Sequence, residues 1–559
     1  MGYDKLTGDL LRRLVKAAAA ALEEQKEAVN ALNVFPVPDG DTGTNMSLTM
    51  QAAVREIDKC VGLGVGDVGR ALSMGSLMGA RGNSGVILSQ LFRGIGRGLE
   101  GHAELDGTGV ARALQLGVET AYKAVMRPVE GTILTVAREM GRSAAKAARE
   151  QGSISEVFHA ATAGGEVALA RTPELLPVLK QAGVVDAGGK GLVILFTGMA
   201  ALLEGQRAVV RALPSQAGSQ PAVAEAFRIT EDLEDIVYTY DTQLLIRGKG
   251  LELNEVRERI GPLGDSMLVV GTAEIAKVHI HTNNPGRVLE LCLAHGDLTD
   301  ISIDNMREQY EAVKRARSGG DGGVGGQAAG SAGVMPGAEQ AKEVGVVCVS
   351  VGEGMEKIHR SLGVDIVIDG GQTMNPSTEE LVLGIESAST EQVILLPNNS
   401  NILMAAQQAL QLTSKKVAVV PSRNMPQGIS ALLAYNPQAN LETNQSRMAA
   451  AMRETRTGEI TYAVRSTRHD QLEINEGDIL AVADDRILAV GKEPNTVLEQ
   501  LIDALLDDSR EFITVFYGLD VTAADAEAAM GLIQDRHPEV EVELHYGGQP
   551  LFYYLISVE

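Results

Sequence analysis

The sequence predicts a multidomain protein with an all-α region, then an α+β region, then an α/β region. Three observations support this prediction. Apolar residues recur at helical spacing from residue 8 to about residue 210. A β-α-β-β-α-β pattern lies between residues 228 and 315, and strands alternate with helices after residue 343. The chain has 559 residues, of which 45% are hydrophobic, so it can form several separate cores.

The composition argues against two classes of partner. A net charge of −24 opposes binding to nucleic acid, because such binding depends on lysine and arginine side chains that displace counterions. No stretch approaches the roughly 18 consecutive apolar residues of a membrane-spanning helix, and the amino terminus lacks the features of a signal peptide. We expect a cytoplasmic protein that does not bind nucleic acid. The sequence leaves open whether it forms a homodimer.

The helical region contains an acidic loop, residues Asn33–Met46. Its two carboxylates, Asp39 and Asp41, lie one residue apart, and hydroxyl groups follow at Thr42 and Thr44. We expect a helix to begin at Thr44. Hard oxygen ligands beside a helix N-terminus suit a divalent cation that carries a polyphosphate, which predicts nucleotide binding. The alternative is an acidic surface turn in front of a capped helix.

Four predicted helices begin with small or polar residues, and each start combines an anion-attracting N-terminus with a glycine or another small residue. The four starts are Thr44-Asn45, Asn83-Ser84-Gly85, Glu130-Gly131-Thr132 and Asp186-Ala187-Gly188-Gly189. Ordinary helix capping explains any one of them. Four of them in a domain that also carries the acidic loop favour a phosphate site.

Four motifs together carry a resemblance to a known family. They are Asn33–Met46, Gly79–Gly85, Arg127–Leu134 and Gly183–Gly191. In combination they resemble the nucleotide-binding domain of dihydroxyacetone kinases and, more closely, the catalytic subunit of bacterial fatty acid kinase. The resemblance runs the length of the chain. It implies that residues 1–210 form a barrel of antiparallel helices that holds Mg-ATP at one rim.

The resemblance also implies roles for individual residues. Asp39 and Asp41 match the metal-binding aspartates and are the expected catalytic residues. Dihydroxyacetone kinases place a third carboxylate just upstream, where this chain has Asn33 and Val34, so Asn33 would offer a neutral oxygen. The residues expected to hold the nucleotide are Asn33, Thr42, Thr44, Asn45, Asn83, Ser84, Gly85, Thr132, Asp186 and Gly188.

The middle domain, residues 228–315, has the element order of a ferredoxin-like fold. The predicted elements are strand 236–247, helix 253–261, strands 266–271 and 275–282, helix 286–295 and strand 299–304. The first and third strands are neighbours in that topology, which would bring Asp241 beside His279 and His281. Two histidines and an aspartate are side chains that can bind zinc together. The alternative is that they lie on a solvated or hydrogen-bonded face of the strands. Relatives of the kinase carry cysteine where this chain has Asp241.

Two segments are typical of linkers. Residues 211–227 are rich in proline, serine and glycine, and residues 316–342 are rich in glycine. We expect the second segment to be a flexible tether that leaves the helical domain and the C-terminal region, residues 343–559, as separable units.

The C-terminal region predicts a parallel sheet covered by helices, followed from about residue 459 by a second α+β lobe. It resembles the DegV family of fatty-acid-binding proteins. Residues Gly371–Ser377 look like a loop that contacts the lipid head group in those binders. We favour a role in docking, because a separate DegV-family partner carries the acyl chain in the kinase system that this chain resembles.

The sequence therefore predicts a kinase that transfers phosphate from ATP to a fatty acid held by that partner, giving acyl phosphate. ATP and Mg²⁺ are the expected cofactors, with Zn²⁺ a candidate for the middle domain. A fatty carboxylate is already ionised at neutral pH and needs no general base. Backbone N–H groups of Thr44, Ser84 and Gly85 are expected to bind phosphate. The alternatives are a dihydroxyacetone-type kinase acting on a small polyol or ketone, and a non-catalytic ATP-sensing scaffold.

Overall fold

The helical domain contains ten helices in the described part of the chain. The computed structural model describes residues 3–34, 40–62, 64–125, 127–150, 152–205, 239–248, 251, 253–271, 275–305, 342–371, 375–463, 467–469, 472–483, 486–507 and 512–559. The helices are α1 (Gly8–Asn30), α2 (Thr42–Lys59), α3 (Val65–Met78), α4 (Gly82–Leu99), α5 (Gly107–Ala124), α6 (Ile133–Arg149), α7 (Ile154–Ala170), α8 (Thr172–Leu175), α9 (Pro177–Ala182) and α10 (Ala187–Leu203). The prediction of a helical first domain is confirmed. A short antiparallel pair, β1 (Leu6–Thr7) with β2 (Glu104–Leu105), was not predicted, since two residues carry no periodicity.

The eight long helices form a closed ring. Each of α1 to α7 packs against the next in the chain, and α10 closes the ring by packing against both α7 and α1. The apolar stripe of each helix faces the shared interior, where Leu14, Met50 and Leu88 are completely buried. The barrel therefore follows from amphipathic helices that share one core.

The middle domain has the predicted order of strands and helices. Its elements are β3 (Tyr240–Arg247), α11 (Leu253–Ile260), β4 (Gly264–Gly271), β5 (Ile275–Thr282), α12 (Pro285–Leu293) and β6 (Asp297–Asn305). The sheet is antiparallel with the strand order β4-β5-β3-β6, so the first and third strands of the domain are neighbours, as predicted.

The first lobe of the C-terminal region is a parallel sheet with helices between its strands. Its elements are β7 (Gly345–Ser350), α13 (Glu353–Ser361), β8 (Ile366–Asp369), α14 (Thr378–Ser387), β9 (Gln392–Leu396), α15 (Leu403–Ala409), β10 (Lys416–Val419), α16 (Met425–Leu433) and α17 (Leu441–Glu454). The strand order is β10-β9-β7-β8. Every residue of β7 is buried, which is typical of a central strand in a parallel sheet. Helices α16 and α17 were not predicted from the sequence.

The second lobe is built on a six-stranded sheet. Its elements are β11 (Arg456–Tyr462), β12 (Thr467–His469), β13 (Leu472–Ile474), β14 (Ile479–Ala483), β15 (Arg486–Gly491), α18 (Pro494–Leu505), β16 (Phe512–Tyr517), α19 (Ala523–Arg536), β17 (Glu541–Tyr546) and β18 (Tyr554–Val558). The sheet order is β15-β14-β11-β18-β16-β17, and β12 pairs with β13 as a separate hairpin. The predicted α+β character of this lobe is confirmed, although the hairpin was missed.

The C-terminal region packs directly on the helical domain. Ala80 and Val86, at the start of α4, belong to the same buried apolar cluster as Val347 and Leu381 of the C-terminal region. The two regions therefore share an interface in the described residues, and the expectation that they are separable units stays a prediction. The predicted linker 211–227 lies outside the described residues, as does the predicted linker 316–342 except for Lys342.

A helix that crosses a membrane needs about 20 predominantly apolar residues. Within the described ranges, no helix combines the required length with sufficient apolar character.

Candidate functional site

The N-terminal ends of α2, α4, α6 and α10 meet at one rim of the barrel. Close contacts join them: Asn45 with Gly82 (α2 with α4), Met46 with Gly191 (α2 with α10), and Ile133 with Gly188 (α6 with α10). These are the four helix starts that the sequence identified. Each carries a partial positive charge and first-turn N–H groups without intrahelical acceptors. Their convergence makes this rim the natural site for an anion.

Asp41 lies buried at this rim. It occupies the N-cap position of α2, which begins at Thr42 and not at Thr44 as predicted. Only 6% of Asp41 is exposed, so the alternative of an acidic surface turn does not describe it. Its side chain makes no capping hydrogen bond to its own helix. Instead, Oδ2 of Asp41 accepts a hydrogen bond of 2.5 Å from Nδ2 of Asn375, in the C-terminal region.

The other residues predicted from the acidic loop divide into two groups. Asn33, Thr42 and Asn45 are buried, and their role in nucleotide binding stays a prediction. Thr44 instead serves the packing of α2 on α1, because its backbone N–H donates to Oδ1 of Asn30 at 3.1 Å. Asp39 lies outside the described residues, so its role stays a prediction.

Backbone donors at the start of α4 are also partly engaged. The N–H of Gly85 donates to the carbonyl of Arg81 at 3.1 Å, within the first turn. The N–H groups of Thr44 and Gly85 therefore donate within the protein in this structure, and their phosphate-binding role stays a prediction. Ser84 is among the first three residues of α4, where N–H groups lack intrahelical acceptors. It stays a candidate donor.

Glycine at the rim admits neighbouring helices. A Cβ atom on Gly85 would lie 2.5 Å from Oγ1 of Thr49, and a Cβ on Gly43 would lie 2.2 Å from the carbonyl oxygen of Lys26. Both distances are too short for any larger residue. At these two positions glycine permits helix packing.

Asp186 ties α6 to α10. As the N-cap of α10 it accepts hydrogen bonds from the backbone N–H of Gly189, at 2.7 Å, and from that of Ile133 in α6. Complete burial raises the pKa of Asp186 to about 7, and the two N–H donors only partly oppose that shift. Thr132, the N-cap of α6, donates its hydroxyl to the carbonyl of Val129. Both residues therefore serve the local structure of the rim.

A polar network fixes the C-terminal region on α4. Arg81 donates to the backbone carbonyl of Asn375 at 2.7 Å and forms an ion pair of 3.1 Å with Glu380. The side-chain amide of Asn83 donates to Oδ1 of Asn401 at 3.1 Å. Asn83 therefore contacts the C-terminal region in this structure, and its nucleotide-binding role stays a prediction.

Sequence reasoning missed Arg81 and the contact of Asn375 with the rim. Arg81 lies within the motif Gly79–Gly85, which was noted for its glycines. Asn375 lies within the loop Gly371–Ser377, which was assigned to a lipid head group or a partner. The signal that could have found them was the presence of polar residues in both motifs. Their pairing across roughly 300 residues was not visible in one sequence.

A cleft runs along α10 away from the rim. It has a volume of about 530 Å³, which is within the range of small-molecule sites. It is lined by Gln25, Leu32, Glu166, Leu169, Ala170, Val185, Lys190, Val193, Ile194 and Thr197. The cleft therefore offers an apolar wall with a few polar groups beside the start of α10.

The rim fits a hard divalent cation. Asp41 supplies a buried carboxylate, and Asn33 a buried amide. Oδ1 of Asn375 is buried beside Asp41 and has no hydrogen-bond partner among the described residues. Oxygen donors of this kind suit Mg²⁺. The described side chains contain no group of three or more His, Cys, Asp and Glu residues that could hold a metal.

The middle domain brings the predicted zinc residues to facing positions. The pairing of β3 with β5 sets Asp241 opposite His281 and Gln243 opposite His279. The predicted neighbourhood of these backbone positions is confirmed. The side chains of Asp241, His279 and His281 lie outside the described part of the structure, and zinc binding stays a prediction.

The fold and the site define a class of multidomain protein with a helical DAK2 domain at its amino end. The DAK2 domain family matches residues 36–201. The middle domain of the FakA-like fatty acid kinase family matches residues 237–313, and the C-terminal domain of the same family matches residues 345–559. The chain belongs to the FakA-like fatty acid kinase family.

Relatives align over the whole chain. Protein YloV of Bacillus subtilis is 40% identical over 568 residues, which is 100% of both chains. Protein SAR1202 of Staphylococcus aureus is 39% identical over 559 residues, covering 99% of this chain and 100% of the relative.

Solved structures match parts of the chain. Dihydroxyacetone kinase from C. freundii in complex with AMP-PNP and Mg²⁺ has 22% identity and a TM-score of 0.27, covering 35% of this chain and 34% of that chain. Protein TM841 of Thermotoga maritima, described as revealing a fatty acid binding function, has 11% identity and a TM-score of 0.30, covering 39% of this chain and 99% of that chain. The DegV family protein Cg2579 of Corynebacterium glutamicum has 16% identity and the same TM-score, covering 39% of this chain and 97% of that chain.

Proposed function

We propose that this chain transfers the γ-phosphate of Mg-ATP to the carboxylate of a fatty acid that a separate DegV-family protein presents, giving acyl phosphate. One observation carries the proposal. The starts of α2, α4, α6 and α10 converge beside the buried carboxylate of Asp41, in a chain of the FakA-like fatty acid kinase family. Anion-attracting helix ends and a carboxylate for the cation are what a nucleotide triphosphate requires.

Asp41 and Asp39 are the proposed metal ligands and catalytic residues. When bound, Mg²⁺ neutralises charge on the phosphates during transfer. Burial of Asp41 excludes water from one side of the carboxylate and so strengthens its interaction with a cation. Asn33 and Thr42 are buried and lie close to Asp41 in the sequence. They are proposed to orient the start of α2.

The helix ends are the proposed phosphate donors. The first turns of α2 and α4 direct backbone N–H groups, including that of Ser84, toward the rim. The cleft of about 530 Å³ along α10 is the proposed site for the nucleoside, because its apolar wall suits a planar base. These groups provide positive potential without a cluster of lysines, which agrees with a net charge of −24.

The chemistry places little demand on side chains. A fatty carboxylate is ionised at neutral pH, so its oxygen can attack the γ-phosphorus without a general base. A bond forms between that oxygen and phosphorus, and the bond to the bridging oxygen of ADP breaks. The chain's contribution is to position the reactants and neutralise charge, which are the dominant effects in phosphoryl transfer.

The acyl chain is proposed to arrive on a separate protein. The structure of protein TM841 of Thermotoga maritima is described as revealing a fatty acid binding function, and a binder of that kind would present the carboxylate at the rim. The C-terminal region would help to dock it, because this region already lies on α4 beside Asp41.

The proposal is tested by measuring ATP consumption by the full chain with and without a lipid-loaded DegV-family partner. We expect turnover only when the loaded partner is present, with acyl phosphate as the product. Turnover with dihydroxyacetone and no partner would instead identify a dihydroxyacetone-type kinase. Nucleotide binding without turnover under either condition would identify an ATP-sensing scaffold.

A further inference from the structure

Asn375 has an unusual environment at the rim. Its side chain is completely buried, although it belongs to the C-terminal region and not to the helical domain. Nδ2 donates to Oδ2 of Asp41 at 2.5 Å, while Oδ1 has no hydrogen-bond partner among the described residues. A buried amide oxygen without a partner is rare, because it loses its hydrogen bonds to water and gains nothing in return. A ligand bound beside the carboxylate of Asp41 would give Oδ1 of Asn375 a partner.

The backbone around Asn375 is held firmly against the helical domain. Its carbonyl accepts a hydrogen bond of 2.7 Å from Arg81, and the N–H of Thr378 donates to the carbonyl of Ala80 at 3.0 Å. Ser377 caps α14 immediately afterwards. These contacts fix the main chain, so a rotation of the amide group about the Cβ–Cγ bond would leave the residue in place.

We propose that Asn375 supplies its amide oxygen as a ligand to the cation at Asp41, so that the C-terminal region completes the metal site of the helical domain. This inference rests on the proposed function. A half-turn of the amide exchanges Nδ2 with Oδ1 and gives up the hydrogen bond to Asp41. In that orientation Oδ1 of Asn375 and the carboxylate of Asp41 would both be available to hold the cation.

The geometry suits such a cation. Mg²⁺ binds oxygen at 2.0–2.1 Å in an octahedral arrangement, so neighbouring ligand oxygens are about 3 Å apart. The amide of Asn375 and the carboxylate of Asp41 are already 2.5 Å apart. Only a small widening is required. A carboxylate and an amide oxygen are both hard donors, which Mg²⁺ and Mn²⁺ prefer.

Metal binding would then be coupled to the contact between the two regions. A cation that binds both Asp41 and Asn375 stabilises the closed arrangement, and closure raises the affinity for the cation by the same factor. If the contact between Asn375 and Asp41 had to break before the metal bound, closure would instead lower the affinity for the cation. The shared core around Ala80 and Val86 favours a contact that persists.

The test measures Mn²⁺ affinity directly, by the electron paramagnetic resonance signal of free Mn²⁺ titrated into the full chain with ADP present. Asn375→Leu keeps the size of the side chain and removes the oxygen. We expect it to weaken Mn²⁺ binding by about 10- to 100-fold. Asn375→Asp keeps an oxygen at the same position and should bind Mn²⁺ at least as tightly as the wild type. Circular dichroism melts confirm that each variant is folded.

The matched control removes a different buried hydrogen bond of the same interface. Nε2 of Gln90 donates to Oε1 of Gln408 at 3.0 Å. Gln90 is distant in sequence from Asp41, and Gln408 is distant in sequence from Asn375. The double variant Gln90→Leu with Gln408→Leu removes both partners together and should leave Mn²⁺ affinity within about a factor of two. If this control weakens Mn²⁺ as much as Asn375→Leu does, the effect belongs to docking and the proposal is overturned.

Asp41→Asn separates this inference from the proposed function. If Asp41→Asn weakens Mn²⁺ binding and Asn375→Leu does not, the metal site stands and Asn375 is only a docking contact. If neither variant affects Mn²⁺, the metal site of the proposed function is itself wrong. Tighter Mn²⁺ binding and faster turnover in Asn375→Leu would identify a clamp that excludes the metal, and would also overturn the inference.

Discussion

The four helix starts at the rim form two pairs that the fold holds in different ways. The starts of α6 and α10 are joined within the barrel by Asp186, which accepts a backbone N–H from each helix. The starts of α2 and α4 are covered from outside by the C-terminal region, where Asn375 contacts Asp41 and Arg81 contacts Glu380.

The difference separates two aspartates that look alike in the sequence. Both occupy N-cap positions before a glycine-containing first turn. Asp186 uses its carboxylate to cap its own helix, whereas Asp41 makes no such bond and contacts a residue 334 positions away. The carboxylate of Asp186 therefore caps its own helix, whereas that of Asp41 contacts the C-terminal region.

The largest expected effect comes from removing the charge of Asp41. Asp41→Asn keeps an oxygen that can accept from Asn375, so the protein should fold with unchanged or slightly higher stability. Turnover with the lipid-loaded partner should fall by at least about 100-fold, because metal-ion charge stabilisation contributes several kcal/mol. ADP with Mg²⁺ should raise the melting temperature of the wild type much more than that of the variant.

Asp106→Asn is the matched control for this prediction. Asp106 is an exposed N-cap aspartate of α5 that accepts from Gly109. Its variant should retain turnover and the stabilisation by Mg-ADP. Equal stabilisation and equal turnover in Asp41→Asn and the wild type would remove Asp41 from the site.

A second effect, on stability and its pH dependence, is expected at Asp186. Burial raises its pKa to about 7, above the ordinary value of 3.8. The folded state therefore binds more protons than the unfolded state between those values, and this group's contribution to stability falls as pH rises from about 4 to about 7. The loss is on the order of 4 kcal/mol, since each pKa unit corresponds to about 1.4 kcal/mol.

Asp186→Asn should remove this slope, because an amide keeps an acceptor for the N–H groups and does not ionise. Denaturant unfolding of both proteins between pH 4 and pH 8 measures the effect. Other carboxylates contribute equally to both proteins, so the difference between the two curves isolates Asp186. Parallel curves would show that Asp186 is not buried as a tie between α6 and α10.

The contrast between these two pairs of helix starts also shows which features can be predicted from the sequence. Helical periodicity predicted the long helices and their starts within a few residues, because the apolar stripe of each helix is a local property. The helix starts that contain Asp186, Gly188 and Ser84 were predicted for the same reason, whereas a common rim was implied by the resemblance to dihydroxyacetone kinases. Roles within the rim were harder to predict, because a capping aspartate and a metal-binding aspartate require the same residue type in the same position.

Contacts between distant regions were not predicted. Arg81 and Asn375 carry no local signal of their partnership, and Val86 has the pattern of an interior residue of α4. The glycine-rich segment suggested independent motion of the regions it joins. The interface is determined by complementarity between two folded surfaces, which a single sequence does not display.

A third prediction concerns the contact of the C-terminal region with the starts of α2 and α4. Arg81→Met retains the length of the side chain and leaves the buried carboxylate of Glu380 without its cation. The contact between the regions should weaken by about 2–3 kcal/mol, as expected for charged hydrogen bonds in a partly buried setting. Hydrogen exchange should accelerate at residues 80–86 and 375–387, while the starts of α6 and α10 keep their protection.

Arg142→Met is the control for that variant. Arg142 forms an exposed ion pair with Glu139 on α6, and exposed pairs contribute little to stability. Its exchange pattern should match that of the wild type. Accelerated exchange at all four helix starts in Arg81→Met would mean that the two pairs are not held independently.

The smallest effect is expected at Gly188, which was predicted to contact nucleotide but lies against α6. A Cβ on Gly188 would be 3.2 Å from Cβ of Ile133, a tight contact that a small shift relieves, and alanine gains up to about 1 kcal/mol of helix propensity. Gly188→Ala should therefore change stability by no more than about 0.5 kcal/mol and the Kd for ADP by no more than about a factor of two.

Gly85→Ala is the contrasting variant, because its Cβ would lie 2.5 Å from the hydroxyl of Thr49, which is fixed by hydrogen bonds to Asn45 and Arg81. It should lose about 1–3 kcal/mol of stability. Thermal melts and ADP titrations of both variants measure these effects, and a loss of ADP affinity in Gly188→Ala at unchanged stability would bring the α10 start into contact with the nucleotide.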